Sequence, residues 1–230
     1  MVDRQEDVVK TRLILASSSP RRIDLLRGLG LSFEIMPGDV SETVLPHEGP
    51  SELVERLALS KAKHVAASLG DDVPGERSVV IGADTVVVLG GRILGKPRSR
   101  DEAYEMLKEL QGRTHEVYSG VAVVCSDESF ERVAHEVTMV TMRHLTDGEI
   151  RAYVATGEPM DKAGAYAVQG KGALLISSIA GCYYNVVGLP LTRLCLMLRD
   201  LGIDLLSETP GRERATQEGA HGDSRIPYIH

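Results

Sequence analysis

Several groups of residues in this chain could do chemistry together. The run VVIGADTVVVL, Val79 to Leu89, is apolar and β-type except for one carboxylate, Asp84. Burying a carboxylate there is costly unless it meets a cation, a metal or hydrogen-bond donors. Backbone amides would satisfy Asp84 as a structural residue. Lys96, returning after the turn in GGRILGKP, would satisfy it as an ion pair. A second group, SSSPRR from Ser17 to Arg22, stands at a strand-to-helix junction. The open amides and dipole of a helix N-terminus favour an anion there. Arg21 and Arg22 add donors of the kind that grip phosphate oxygens in bidentate fashion. An ordinary N-cap with solvated arginines is the plainer reading, but positive charge in a first helical turn opposes the dipole and so favours an anion site.

Three further groups are weaker taken singly. Lys61 lies four residues after Leu57 and four before Val65, on or beside the apolar stripe of a helix. Its stem could snorkel, or its ammonium could reach into a phosphate-lined cleft. Glu42, in the loop GDVSE, is an acid that could join Asp84 on a hard divalent ion, or simply be solvated. In GEPMDKAGAYAVQGKG, Gly157 to Gly172, Asp161 and Lys162 read as an ion pair fixing a loop. Gln169 offers an amide that both donates and accepts, as reading the edge of a base requires. The histidines and cysteines form no triad-like pattern, and neither a GxSxG elbow nor a GxxxxGK[ST] loop is present. Two acids with separated cations fit metal-assisted attack of water on a phosphoanhydride.

The elements that must position these groups follow from pattern and caps. A strand over 11–16 leads to a helix that Ser19 and Pro20 open and Gly30 ends. A short strand is expected over 32–36 and a long helix over 51–69. Val79 to Ile93 reads as a strand pair turning at Gly90–Gly91. Capping boxes at Ser99–Glu102 and Thr146–Glu149 start two more helices. Residues 117–125 and 133–142 alternate as antiparallel strands with a turn near Ser126–Asp127. Residues 173–179 and 183–187 are strand candidates, and Leu189–Pro190 opens a last helix to about 201. Strands and helices mix without strict alternation, so an α/β fold around a mixed, partly antiparallel sheet is expected.

Composition narrows the function classes. The 230 residues are 43% hydrophobic and 26% charged, with a net charge of −7, ordinary for a soluble globular protein. That sign argues against general nucleic-acid affinity, which needs a basic excess. Phosphate contact should therefore be local. No stretch approaches the roughly 18 apolar residues of a membrane span. The N-terminus lacks a signal peptide's apolar core. Cys125, Cys182 and Cys195 have neither disulfide-framework nor metal spacing, so a reducing cytoplasm is expected. The ordered domain is expected over 11–206, with a flexible N-terminus over 1–10 and a mobile polar tail over 207–230.

The motifs SSSPRR, GDVSE, GADTVVVLGGRILGKP, GEPMDKAGAYAVQGKG and YYNVVGLPL occur here in the order of the Maf family, which the chain resembles from about Leu13 to Leu201. These are nucleoside triphosphate pyrophosphatases, also called septum formation inhibitor proteins. The resemblance implies a fold like the inosine triphosphate pyrophosphatases (Maf/Ham1), an elongated mixed sheet with a cleft between two lobes. It also implies hydrolysis of a nucleoside triphosphate to monophosphate and pyrophosphate with a divalent metal, magnesium or manganese. Matched motif by motif, Asp84 would be the proton acceptor and Glu42 its metal-binding partner. Ser17, Arg21, Arg22, Lys61 and Lys96 would bind phosphate. Arg22, Thr85 and Gln169 resemble the triplet of the branch that hydrolyses dTTP and UTP. The 7-methyl-GTP branch typically carries acids at the last two positions, which suit a cationic base. The family is often dimeric, although no surface patch in the sequence marks a partner. A regulator that binds nucleotide and restrains septum formation without turnover is the other class of reading. Such a binder would not need Asp84.

Overall fold

The computed structural model describes residues 10–70, 76–126 and 130–206. Its centre is β3 (Glu76–Leu89), apolar and buried along nearly its whole length. One edge of β3 pairs antiparallel with β5 (Thr114–Cys125), which pairs with β6 (Glu131–Met142) and that with β7 (Ile176–Ala180). The other edge changes partner midway. Residues 76–81 pair in parallel with β1 (Lys10–Leu15), itself parallel to β2 (Glu34–Ile35), and residues 87–89 pair antiparallel with β4 (Arg92–Leu94). Between those partners, residues 82–86 have an open edge in the mixed seven-stranded sheet.

Alternation along β3 sends successive side chains to opposite faces. On one face, Val80, Val86 and Val88 pack under α2 (Pro50–Ser68), whose stripe of Leu53, Val54, Leu57, Ala58, Ala62 and Val65 is buried. On the other face two separate cores form. Val79, Ile81 and Ala83 join α1 (Pro20–Gly28) and α6 (Leu191–Asp200). Val87 and Leu89 join α3 (Arg100–Leu110) and α4 (Asp147–Ala155). The gap between these two lobes falls beside residues 83–86, where the sheet edge is open.

Helix α2 comes very close to the sheet, and two glycines allow it. A Cβ on Gly82 would stand 2.1 Å from the Ala58 carbonyl oxygen, and one on Gly120 would stand 2.1 Å from that of Val54. Neither glycine is in the left-handed region. The requirement is space alone.

Most expected elements are present with ends shifted by a few residues. The Thr146–Glu149 capping box forms in full. At α3 only half does: Ser99 caps the Glu102 N–H, while the Glu102 carboxylate takes the N–H of Arg98. Two strand expectations need correction. Of the strand expected over 173–179, residues 176–179 lie in β7 while 173–175 belong to a 3-10 turn over Gly170–Leu175, and 183–187 is the short helix α5 (Tyr183–Val187). Tyr and Val favour strand locally, but the Asn185 amide is held by Val117 O and Thr138 Oγ1, each at 2.9 Å, and Gly188 ends the turn at φ 119°. Tertiary bonds outweigh propensity in so short a segment. Lys10 already belongs to β1; residues 1–9, the tail over 207–230 and most of the turn at 127–129 lie outside the described residues.

Candidate active site

A cavity of about 820 Å³ occupies the gap. Ser17, Arg21, Arg22, Glu42, Lys61, Asp84, Thr85 and Lys96 all line it, so residues spread over 80 positions of sequence converge on one space. On the α2 face of β3, Asp84 is 7% exposed and Lys61 9%. Lys61 Nζ donates to Asp84 Oδ1 at 2.6 Å and to Glu42 Oε1 at 2.7 Å. One ammonium thus bridges two carboxylates. Partial burial works to raise the Glu42 carboxyl, but the hydrogen bond and charge of Lys61, helped by Lys96 and Arg22, hold it below its ordinary value. The expected partnership of Asp84 with Lys96 is therefore corrected. Lys96 lies exposed at the cavity wall, and the cation on Asp84 is Lys61. The close seat of α2 on Gly82 and Gly120 brings that lysine within reach.

Arg22 also departs from expectation. It is buried, and its guanidinium binds protein: Nε to Gly188 O at 2.8 Å, Nη1 to Ala83 O at 2.9 Å and Ser17 Oγ at 3.2 Å, Nη2 to Thr85 Oγ1 at 3.1 Å. Burial pulls its pKa down, with the Asp84 charge opposing, yet an arginine stays charged. A guanidinium has five N–H donors, so after these four bonds one remains. Arg22 cannot grip phosphate in bidentate fashion without breaking this set. Arg21 and Lys96 are better placed for that task, since both side chains reach the cavity from its rim. Arg21 stands 3.6 Å from Asp161, and Asp161 pairs with Lys162 at 2.6 Å as expected.

Gln169 is not brought to the cavity. The turn after Val168 is pinned by Glu158, which accepts from the N–H groups of Lys171 and Gly172 and from the Tyr153 hydroxyl. That leaves Gln169 exposed, while Tyr166, Ala167 and Val168 line the wall. This wall consists of short 3-10 turns. Ala165, buried and non-glycine, sits within it at φ 57°, a conformation that costs of order 1–2 kcal/mol.

Sequence reasoning passed over Ser119, Asn185, Tyr166 and Arg98. The last two line the cavity and the first two are fully buried behind Thr85. Ser119 carried the same signal as Asp84, a polar residue within the apolar strand VYSGVAVV. Behind Tyr166 lies His115, 1% exposed, its Nε2 at 2.7 Å from the Tyr166 hydroxyl and its Nδ1 without a partner among the described residues. Burial pushes this imidazole down to about 4 from 6.5. Between those values the unfolded chain binds the proton and the folded one does not. Stability should therefore fall as pH drops from about 6.5 to 4, by on the order of 3 kcal/mol. Thermal melts of wild type and His115→Phe at pH 7 and 4.5 would check this. Equal losses on acidification would remove His115 from the account.

The fold and site define a class: a mixed α/β protein with a cleft of carboxylates and cations at a break in its sheet, suited to a polyanionic small molecule. This chain belongs to the Maf-like protein family, whose model matches residues 12–201. The chain is 54% identical over 195 residues to the "dTTP/UTP pyrophosphatase" of Moorella thermoacetica, covering 85% of this chain and 97% of that one. It is 56% identical over 194 residues to the protein of that description from Pelotomaculum thermopropionicum, covering 84% and 98%. Bacillus anthracis has another at 48% identity, covering 84% and 97%. Among solved structures, the Staphylococcus aureus Ham1 protein aligns with 58% of this chain and 72% of its own at TM-score 0.40 and 17% identity, a likeness too slight to carry an argument.

Proposed function

We propose that this protein hydrolyses dTTP and UTP, and modified pyrimidine forms, to the monophosphate and pyrophosphate. The observation that carries the reading is the Asp84–Lys61–Glu42 bridge at the edge of a cavity rimmed by Arg21 and Lys96. The relatives' names supply the substrate class. Asp84 Oδ1 is committed to Lys61, so Oδ2 is the atom that takes the proton from attacking water. Attack at phosphorus breaks a phosphoanhydride bond and releases pyrophosphate. Arg21, Lys96 and the Ser17 end of α1 meet the charge that builds on the phosphoryl oxygens.

The donor set fits a divalent ion of the magnesium type. Among the described residues no group of three His, Cys, Asp or Glu side chains could hold a metal. Magnesium characteristically takes one or two carboxylates and leaves its other positions to water and substrate phosphates. Glu42 would supply such a carboxylate through the oxygen beyond its bond to Lys61, which leaves Asp84 Oδ2 for the proton of water. Bound there, the ion would neutralise phosphate charge and sharpen the acidity of water.

Thr85 puts a neutral hydroxyl rather than an acid at the cavity, which favours the pyrimidine branch over 7-methyl-GTP. The activity acts on the nucleotide pool and we assign it to the cytoplasm. Among the described residues no helix is long and apolar enough to cross a membrane. Pyrophosphate release from a panel of dTTP, UTP, CTP, GTP and 7-methyl-GTP, with magnesium or manganese, tests the proposal. UTP and dTTP should be the best substrates. Turnover of 7-methyl-GTP alone would reverse the assignment, and binding without turnover would favour a regulator.

A further inference from the structure

Thr85 and Ser119 face each other in register across β3 and β5. Ser119 is wholly buried. A hydroxyl has one proton to give and two lone pairs to receive with. The Ser119 proton goes to the Asn185 carbonyl oxygen, at 2.9 Å. The 2.8 Å contact between Ser119 Oγ and Thr85 Oγ1 must then be donated by Thr85. The other acceptor near Thr85, Gly188 O at 3.4 Å, also lies in the protein wall. Either way the Thr85 proton points inward. One Thr85 lone pair receives Arg22 Nη2, which leaves one for the cavity. Arg22 likewise keeps a single N–H, on that same Nη2. A lone donor and a lone acceptor therefore stand 3.1 Å apart on the cavity wall.

We propose that Ser119 is a positioning residue that fixes the polarity of the Thr85 hydroxyl, so that Arg22 and Thr85 together match a carbonyl and the adjacent N3–H of a uracil or thymine ring. This rests on pyrimidine triphosphates being the substrates and adds which edge is read and what sets the reading. Uracil and thymine carry their one ring N–H at N3, between two carbonyls, so an acceptor beside a donor suits them. Cytosine has an unprotonated N3, which faces the Thr85 lone pair unfavourably. Asn185 supports the arrangement from behind, because its amide bonds to Val117 O and Thr138 Oγ1 hold α5 with the carbonyl aimed at Ser119.

Removing the Ser119 hydroxyl leaves the Thr85 proton only the long 3.4 Å contact to Gly188 O in the wall, too weak to hold it against a closer acceptor, so it can turn into the cavity and donate to N3 of cytosine. In Ser119→Ala the ratio of kcat/KM for UTP to that for CTP should fall about tenfold, the worth of one hydrogen bond. Ser119→Thr, which keeps a hydroxyl, should restore it. Mere loosening of the wall would lower both substrates alike, and a ratio unchanged within twofold overturns the proposal. Should Ser119→Ala fail to fold, wild-type enzyme with 3-methyluridine triphosphate decides instead. A loss of at least tenfold against UTP is expected, and equal use overturns the proposal. Wild-type enzyme that hydrolyses no pyrimidine triphosphate would sink the function reading too, whereas UTP turnover with an unmoved ratio sinks this proposal alone.

Discussion

Asp84→Asn should lower kcat for UTP hydrolysis by about 10²–10⁴-fold, the usual worth of a placed general base, while the nucleotide still binds. Asparagine keeps the side-chain shape and an oxygen for Lys61, but it removes the negative charge and the oxygen that would take the proton. Lys61 retains Glu42 at 2.7 Å, so the ammonium is not left alone in the wall. Arg21, Lys96 and the α1 terminus are untouched, which is why affinity for a non-hydrolysable UTP analogue should survive. Pyrophosphate release alongside calorimetric binding separates the two effects. Wild-type turnover in this variant would remove Asp84 from the chemistry, and loss of binding with normal chemistry would make it an affinity residue.

The second large effect is expected where no side chain exists. In Gly120→Ala the new Cβ would be 2.1 Å from the Val54 oxygen and 2.4 Å from the Val54 carbonyl carbon, both backbone atoms of α2. No rotamer change relieves that contact, so the helix must lift. Overpacking of this kind costs about 3 kcal/mol or more, and for a domain of this size that lowers Tm by roughly 6–12 °C. The displacement also moves Lys61 away from Asp84. Activity at a temperature where the variant is folded should therefore fall further than in a variant equally destabilised elsewhere, such as Leu110→Ala in the α3 core. Differential scanning calorimetry with kinetics on the two proteins checks this. A Tm within 2 °C of wild type would mean that α2 is not seated as described.

Much of this was legible in the sequence, and the misses have definite causes. The β3 run announced its one carboxylate, and the Ser-Pro start of α1 was readable because caps are local chemistry. The partner of Asp84 was misplaced because Lys96 is near in sequence, whereas Lys61 arrives on a helix whose height over the sheet depends on two distant glycines. Arg22 read as a phosphate clamp since its composition allows it. Only the positions of Gly188, Ala83, Ser17 and Thr85 show that its donors are already committed. Residues 183–187 read as strand because their helical state depends on the side-chain bonds of Asn185, which no local pattern encodes. Gln169 was placed at the site by its chemistry, but the Glu158 anchor turns that segment outward.

The glycine seat also decides which part of the cleft can breathe. At Gly82 and Gly120 the sheet meets the backbone of α2 directly, with no side chain at those two points to change rotamer and take up movement. That wall, with Lys61 and Asp84 on it, moves as one body with the central strands. The opposite wall is a chain of single 3-10 turns tied by a few anchors and holding Ala165 in an unfavourable backbone state. Admission of nucleotide and escape of pyrophosphate would thus fall to the segment from Gly157 to Leu175. The rate of its opening, rather than any flexing at the acids, would set the ceiling on turnover once the chemical step is fast.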